Sequence, residues 1–209
     1  MAHNDEVETF RLVAGNHFVE LCNVGASVTA LHVHGTDIVL GYASSQALYQ
    51  SGNPCYIGTV VGRVANRIAN GRFDLQQGDT VRTFQLELNN GSHHLHGGVF
   101  GFHRQVWSTK ILSDTSILFT YLSPDGDQGY PGSILTTALY SLSHRPDDTL
   151  TLMLTLEAQL VPCEDGFLKA TPVNLAQHCK NCPAGWGSRR SIFNEEKSIF
   201  VEGCIFNLF

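Results

Sequence analysis

The chain is poor in charge and has no long hydrophobic run. Charged residues make up 15% of the 209 positions, and 13 Lys and Arg face 19 Asp and Glu, for a net charge of -6. Without a basic excess to match phosphates, a nucleic-acid partner is not expected. No apolar run approaches the roughly 18 residues of a membrane span. The first residues, Met1 to Glu6, are polar and acidic, so we expect no signal peptide and a cytoplasmic location.

Cysteine is present without a regular framework. The six cysteines follow no disulfide spacing, and in a chain without a predicted export signal we expect reduced thiols. One close pair, Cys179 and Cys182, has no second pair beside it and is weak support for a metal or redox site. The histidines at His93, His94 and His96 lack a carboxylate partner at a known metal-binding spacing. The sequence therefore predicts no metal and no cofactor.

Hydrophobic alternation is the dominant pattern. Between Thr149 and Glu157 the leucines occupy every second position, which is typical of a strand with one buried face. Turn pairs such as Asn70–Gly71 and Pro131–Gly132 punctuate the chain. The only helix candidate is short, around residues 44–49. The sequence predicts an all-β protein, either a sandwich or an open barrel. Further strands are predicted over residues 10–13, 18–22, 28–33, 80–86, 106–112, 116–122 and 134–142.

A polar, glycine-rich segment between Asn89 and Trp107 suggests a site on a turn. It places three histidines within four residues, then the pair Gly97–Gly98, then several aromatics. Histidine can exchange a proton near neutral pH. The glycine pair allows backbone to approach a ligand or another strand closely.

This segment and three others resemble the galactose mutarotase (aldose 1-epimerase) family. The family pattern Leu-His-Gly-Gly-x-x-Gly-Phe-x-x-x-x-Trp is matched from Leu95 to Trp107. The blocks 62–71, 123–132 and 170–178 match in the same order. The resemblance covers residues 8 to 178 and implies a large twisted antiparallel β-sandwich. We therefore expect residues 1–178 to form a partial mutarotase-like domain, C-terminally incomplete.

The resemblance implies anomer interconversion of hexoses such as galactose or glucose. His178 is then the general acid, and His96 holds the sugar near its ring oxygen and C1. Asn66 and Arg67 contact sugar hydroxyls. General acid–base catalysis of this kind needs no metal and no redox cofactor. His93 and His94 are expected to be loop residues. Other histidines are expected to be structural or exposed, namely His17, His32, His34, His103 and His144.

The resemblance stops after His178. The family's catalytic base is a glutamate in a C-terminal portion that has no match here, and residues 179–209 form a divergent tail. Glu195, Glu196 and Glu202 do not lie in a similar context. We therefore expect reduced activity. A non-catalytic carbohydrate-binding homologue and an inactive truncated isoform stay open as alternatives. The sugar-phosphate epimerase branch, the preferred aldose and the oligomeric state also stay open.

Overall fold

The computed structural model describes residues 6–77, 79–162 and 171–177, and the backbone of two further strands at 191–192 and 199–208. Strands dominate it, with one short α-helix, α1 (Ser45–Ser51), and two 3-10 turns, Phe102–Arg104 and Asp127–Gly129. In chain order the strands are β1 (Thr9–Ala14), β2 (His17–Cys22), β3 (Ser27–Val33), β4 (Thr36–Asp37), β5 (Val60–Val61), β6 (Arg67–Ala69), β7 (Arg72–Gln77), β8 (Thr80–Gln85), β9 (His93–Leu95), β10 (Ser108–Ser113), β11 (Ser116–Ser123), β12 (Ser133–His144), β13 (Leu150–Val161), β14 (Pro172–Val173), β15 (Ala176–Gln177), β16 (Ser191–Ile192) and β17 (Ile199–Leu208).

Two antiparallel sheets form the framework. The smaller sheet has the order β1-β2-β3-β4, and the larger has the order β10-β11-β12-β13-β17. In the larger sheet, β12 and β13 pair over twelve residues each, from Ser133 opposite Val161 to His144 opposite Leu150. Their side chains alternate between buried and less buried positions, as expected for a sheet with one face in the core.

The two sheets pack face to face around one hydrophobic core. Leu12, Val19 and Leu31 of the smaller sheet belong to the same buried cluster as Phe119 and Tyr140 of the larger. The Tyr140 hydroxyl donates to the carbonyl of Ala26 at 2.8 Å, which ties the larger sheet to the turn between β2 and β3. Sheets stacked in this way, with alternating inner-face side chains, make a β-sandwich. The predicted all-β sandwich is confirmed.

The predicted local elements also agree well with the structure. The helix expected at 44–49 is α1, whose N-cap Ser44 accepts a hydrogen bond from the Ala47 N–H at 3.1 Å. It ends at Gly52, which has φ of 65°. The alternation over residues 149–157 lies in β13. In the tail, the backbone of β17 pairs antiparallel with β13, from Ala158 opposite Ile199 to Leu150 opposite Leu208.

Short ladders beside the sandwich position the residues of the sequence motifs. β5 pairs with β15, β6 with β9, and β7 with β8, all antiparallel. The first two ladders join segments that are far apart in sequence, whereas β7 and β8 form a local hairpin. No helix in the described part of the chain is long and apolar enough to cross a membrane.

Candidate functional site

The β6–β9 ladder brings the two most polar motifs together. Arg67 lies opposite Leu95 in this antiparallel pair. Asn66 and His96 are therefore the residues that flank the ladder at the same end. Both have positive φ, 67° and 52°, a left-handed conformation that Asn and His adopt more readily than most residues. The ladder thus sets two polar side chains side by side at a turn.

Asn66 and His96 are locked together by reciprocal hydrogen bonds. The His96 N–H donates to the Asn66 carbonyl at 3.1 Å, and the Asn66 N–H donates to His96 Nδ1 at 3.0 Å. Because Nδ1 accepts this hydrogen bond, the proton of the neutral imidazole must lie on Nε2. Asn66 is exposed and His96 is half-buried. The two hydrogen bonds therefore fix both the orientation and the tautomer of the His96 ring.

Arg67 is held beside this pair by amide oxygens. Its Nε donates to Asn90 Oδ1 at 2.9 Å, and its backbone N–H donates to Asn66 Oδ1 at 3.0 Å. The residue is exposed. A guanidinium offers five donors in a fixed plane, so anchoring Nε orients the others. The structure thus brings three of the four predicted site residues, Asn66, Arg67 and His96, to one place.

An aromatic side chain, Tyr56, lies against the His96 ring. The Tyr56 ring is 4.7 Å from the His96 ring and 4.5 Å from the His103 ring, between centroids. His103 is buried, and burial followed by the nearby Arg104 charge lowers its pKa from 6.5 to about 3. His103 is therefore neutral at physiological pH. Burial also raises the pKa of the Tyr56 hydroxyl. Tyr56 was missed by the sequence motifs because its contacts come from a separate loop.

The loop that carries His96 is fixed by close backbone approach. Gly97 has φ of 82°, and a Cβ added to it would lie 1.5 Å from the carbonyl oxygen of Gly62. No residue other than glycine fits this contact. The motif residues Phe102 and Trp107 are buried in the core, where Trp107 Nε1 donates to the Phe102 carbonyl at 3.2 Å. Most residues of the family pattern therefore serve the packing of the loop that carries His96.

The block 62–71 also contains a buried arginine. Arg63 is 1% exposed, and its guanidinium donates to Ser123 Oγ at 2.8 Å and to the Gly132 carbonyl at 2.7 Å. It also donates to the carbonyls of Ser123, Pro124 and Pro131 and to Thr171 Oγ1. Burial lowers its pKa to about 10, and the Asp127 carboxylate opposes that shift. Arg63 thus anchors the 123–132 turn and does not face the site.

The strand leading to His178 runs beside the same block. The Ala65 N–H donates to the Asn174 carbonyl at 2.6 Å, and Gln177 lies opposite Val60 in the β5–β15 pair. The side chain of Gln177 donates to the Gly58 carbonyl at 3.0 Å and to the Tyr140 hydroxyl at 2.8 Å. His178, the predicted general acid, lies outside the described residues, as do Glu195 and Glu196.

Two histidines expected in a loop lie in a strand. His93 and His94 belong to β9, opposite Ala69 and Ile68. The ladder turns them to opposite faces, so His94 is buried while His93 is half-buried. His94 Nδ1 donates to the Glu87 carbonyl at 2.7 Å, and burial lowers its pKa. The prediction that they are loop residues is therefore wrong. A strand of three residues between turns is too short to show a hydrophobic alternation in the sequence.

Proteins of known structure share this architecture. An aldose epimerase homologue from C. elegans superposes with a TM-score of 0.64 at 24% identity, over 85% of this chain and 52% of that one. A galactose 1-epimerase from Lactobacillus acidophilus superposes with a TM-score of 0.64 at 23% identity, over 83% and 52%. The chain therefore has the β-sandwich fold of galactose mutarotases.

Sequence comparison narrows the class to one family. The aldose 1-epimerase family model matches residues 8–180. The chain is 38% identical over 198 residues to a galactose mutarotase from Sus scrofa, covering 92% of this chain and 52% of that protein. It is 33% identical over 165 residues to an aldose 1-epimerase from Escherichia coli, covering 77% and 43%. The chain belongs to the aldose 1-epimerase family, and it spans about half the length of these curated relatives.

Proposed function

We propose that the protein acts as an aldose 1-epimerase, interconverting the α and β anomers of hexoses such as galactose or glucose. The observation that carries this proposal is the reciprocal bonding of Asn66 and His96, which fixes the orientation of this imidazole beside the exposed residue Arg67. A sugar offers a dense array of hydroxyls and one ring oxygen. Amide, guanidinium and imidazole groups can donate to and accept from such an array.

The reaction needs only proton transfers. A base takes the proton of the C1 hydroxyl, the C1–O5 bond breaks, and an acid protonates O5 to give the open aldehyde. Rotation about C1–C2 and reclosure on the other face reverse these steps, returning both protons. Acid and base groups with suitable pKa values are sufficient for this. No metal or redox cofactor enters the scheme.

Each site residue takes one part of this reaction. His178 is the acid at O5, supported by its place at the end of the Thr-Pro-Val-Asn-Leu-x-x-His block, directly after β15 in the sequence. His96 donates from Nε2 to the sugar near the ring oxygen. Asn66 and Arg67 hold sugar hydroxyls. The free thiols of Cys22 and Cys55 fit a reducing compartment, which supports a cytoplasmic location.

We further propose that the 209-residue chain turns over sugar slowly. Residues 66, 67 and 96 supply binding groups and, with His178, an acid. The resemblance implies a glutamate base outside the matched residues. Absence of one general catalyst costs about 10²–10⁴-fold in rate. Sugar binding should also be weak, with a millimolar Kd or worse, near 4 kcal/mol or less.

Polarimetry on α-D-galactose tests the proposal. The chain should accelerate mutarotation slightly over the spontaneous rate, and His178→Asn should abolish that acceleration while keeping a polar side chain. A rate that survives this change would remove His178 as the acid. Replacing residues from Cys179 onward with the C-terminal portion of the Sus scrofa relative should raise the rate by about 10²-fold or more. If sugar binds but neither protein accelerates mutarotation, the protein is a non-catalytic carbohydrate-binding homologue.

A further inference from the structure

A second group of titratable side chains lies away from the sugar site, where three strand ends meet. His17 begins β2, the next residue after β3 is His34, and His144 ends β12. Asp148 lies in the turn between β12 and β13. We call His17, His34, His144 and Asp148 the histidine cluster. It joins one end of the smaller sheet to the β12–β13 hairpin of the larger.

All three imidazoles of the histidine cluster point their Nε2 atoms at the same carboxylate. The Asp148 oxygens are 2.9 Å from Nε2 of His144, 3.3 Å from Nε2 of His34 and 3.8 Å from Nε2 of His17. The ligand atoms of His17, His34 and Asp148 all lie within 4.8 Å of one another. Three potential ligand atoms therefore converge on a small volume, and the His144 imidazole contacts the Asp148 carboxylate beside them.

The rings fan out from this point and do not stack. The His17 ring meets the His34 ring edge-on, with centroids 4.8 Å apart and planes 83° apart. It meets the His144 ring at 4.7 Å and 67°. Rings set at steep angles can direct their nitrogen lone pairs at a common centre from different sides. Steep angles between the rings are compatible with a tetrahedral ligand set.

The distances suit an ion of the size and preference of zinc. Zn²⁺ binds imidazole nitrogen at about 2.0–2.1 Å and carboxylate oxygen at about 2.0–2.2 Å, usually with four tetrahedral ligands. Two such ligands lie about 3.4 Å apart across the ion. The three nitrogen-to-oxygen distances in the cluster fall on both sides of that value. Magnesium and calcium prefer all-oxygen sites, so a site dominated by imidazole excludes them.

Solvent exposure makes the small adjustments feasible. The side chains of His34 and Asp148 are 63% and 61% exposed, so they can move onto an ion that enters from solvent. His17 is buried and gives the site a fixed wall. Its Nδ1 accepts a long hydrogen bond of 3.4 Å from the His34 N–H. Binding an ion at Nε2 leaves the ring proton on Nδ1, so this contact would be given up.

We propose that the histidine cluster binds one Zn²⁺ ion, which clips the smaller sheet to the β12–β13 hairpin. The site is separate from the sugar site and does not depend on the proposed reaction. Its role is structural, because an ion that binds only the folded chain stabilises it, and this stabilisation grows with the logarithm of the ion concentration above Kd. Metal-dependent stability would then be a property of this chain in addition to its sugar chemistry.

Calorimetric titration of the full chain with ZnCl₂, after treatment with a chelator and its removal, tests the proposal. We expect a site of micromolar or tighter Kd. His34→Asn and Asp148→Asn should each weaken it at least about tenfold, since even outer-shell partners of a metal cost that much. Asn suits both positions because they have φ of 50° and 67°. The midpoint of thermal unfolding should rise with Zn²⁺ in the native chain and not in these variants.

Two controls make the outcome decisive. His32→Asn removes a histidine from the same segment, whose ring stacks on Phe18 at 4.2 Å, and should leave Zn²⁺ binding unchanged. The double variant Cys179→Ser/Cys182→Ser should also keep the site. Loss of binding in the cysteine variant would place the ion there and overturn the proposal. So would equal affinity in the native chain, His34→Asn and Asp148→Asn, or no binding at millimolar Zn²⁺.

Discussion

Two arginines in one sequence block have opposite environments. Arg63 is 1% exposed and donates hydrogen bonds to carbonyls of the 123–132 turn. Arg67 is exposed and is held by the side chains of Asn66 and Asn90. The first half of the block is therefore framework, and the second half belongs to the proposed sugar site. A matched motif identifies the family, but only the structure divides its residues between stability and binding.

The same division holds in the second motif. Gly97, Phe102 and Trp107 are buried, and they support one half-buried histidine, His96. Substitutions on the buried side should therefore change the free energy of unfolding. Substitutions on the exposed side should change sugar affinity and leave stability alone.

Gly97→Ala should have the largest effect. The added methyl group would lie 1.5 Å from the Gly62 oxygen, 2.2 Å from its carbonyl carbon and 2.7 Å from the Arg63 nitrogen. The backbone must move to relieve these contacts. The free energy of unfolding should therefore fall by more than about 4 kcal/mol, which is exceptional for one substitution. Gly91→Ala is the control, with φ of 60° and no atom within 4 Å of its Cβ. It should cost only about 1–2 kcal/mol. Urea unfolding measures both, and equal losses would refute the close-contact explanation.

Arg63→Leu should be the next most damaging change. It leaves the carbonyls of Gly132, Ser123 and Pro131 buried without this donor. Each buried carbonyl left without a donor costs about 1–3 kcal/mol, so the free energy of unfolding should fall by about 3 kcal/mol or more. Arg67→Leu, four residues along, should change stability by less than about 0.5 kcal/mol. If the two variants unfold at the same denaturant concentration, the division of the block is wrong.

His103 should make stability depend on pH. Its pKa is about 3 in the folded chain against 6.5 for an ordinary histidine. Between these two pH values His103 is protonated in the unfolded chain and neutral in the folded chain. Its contribution to the free energy of unfolding is therefore complete above pH 6.5 and is lost as the pH falls. From pH 6.5 to 4.5 the loss should be about 2 kcal/mol. His103→Asn should show a correspondingly smaller decrease when urea unfolding is compared at the two pH values. An identical decrease in both proteins would show that His103 is not the group responsible.

The sequence predicts the framework better than the site. Alternation alone locates β11, β12 and β13, because each strand buries one face. Arg63 cannot be recognised as buried from its residue type, since arginine is almost never fully buried unless paired. The bond between Asn66 and His96 spans 30 positions and depends on a ladder of three residues. His17, His34 and His144, expected to be structural or exposed, meet at Asp148 only because separate sheets stack.

His96 is the residue proposed to face the sugar, and galactose titration of His96→Asn tests this assignment most directly. Asn tolerates the positive φ of this position, so the change removes the imidazole while the backbone is kept. We expect affinity to fall about tenfold, or 1.4 kcal/mol, with an unchanged unfolding midpoint. His93→Asn, whose ring nitrogen instead accepts from the Asn70 N–H at 3.4 Å, should bind sugar as the native chain does. An unchanged isotherm for His96→Asn, or equal losses in both variants, would contradict the assignment.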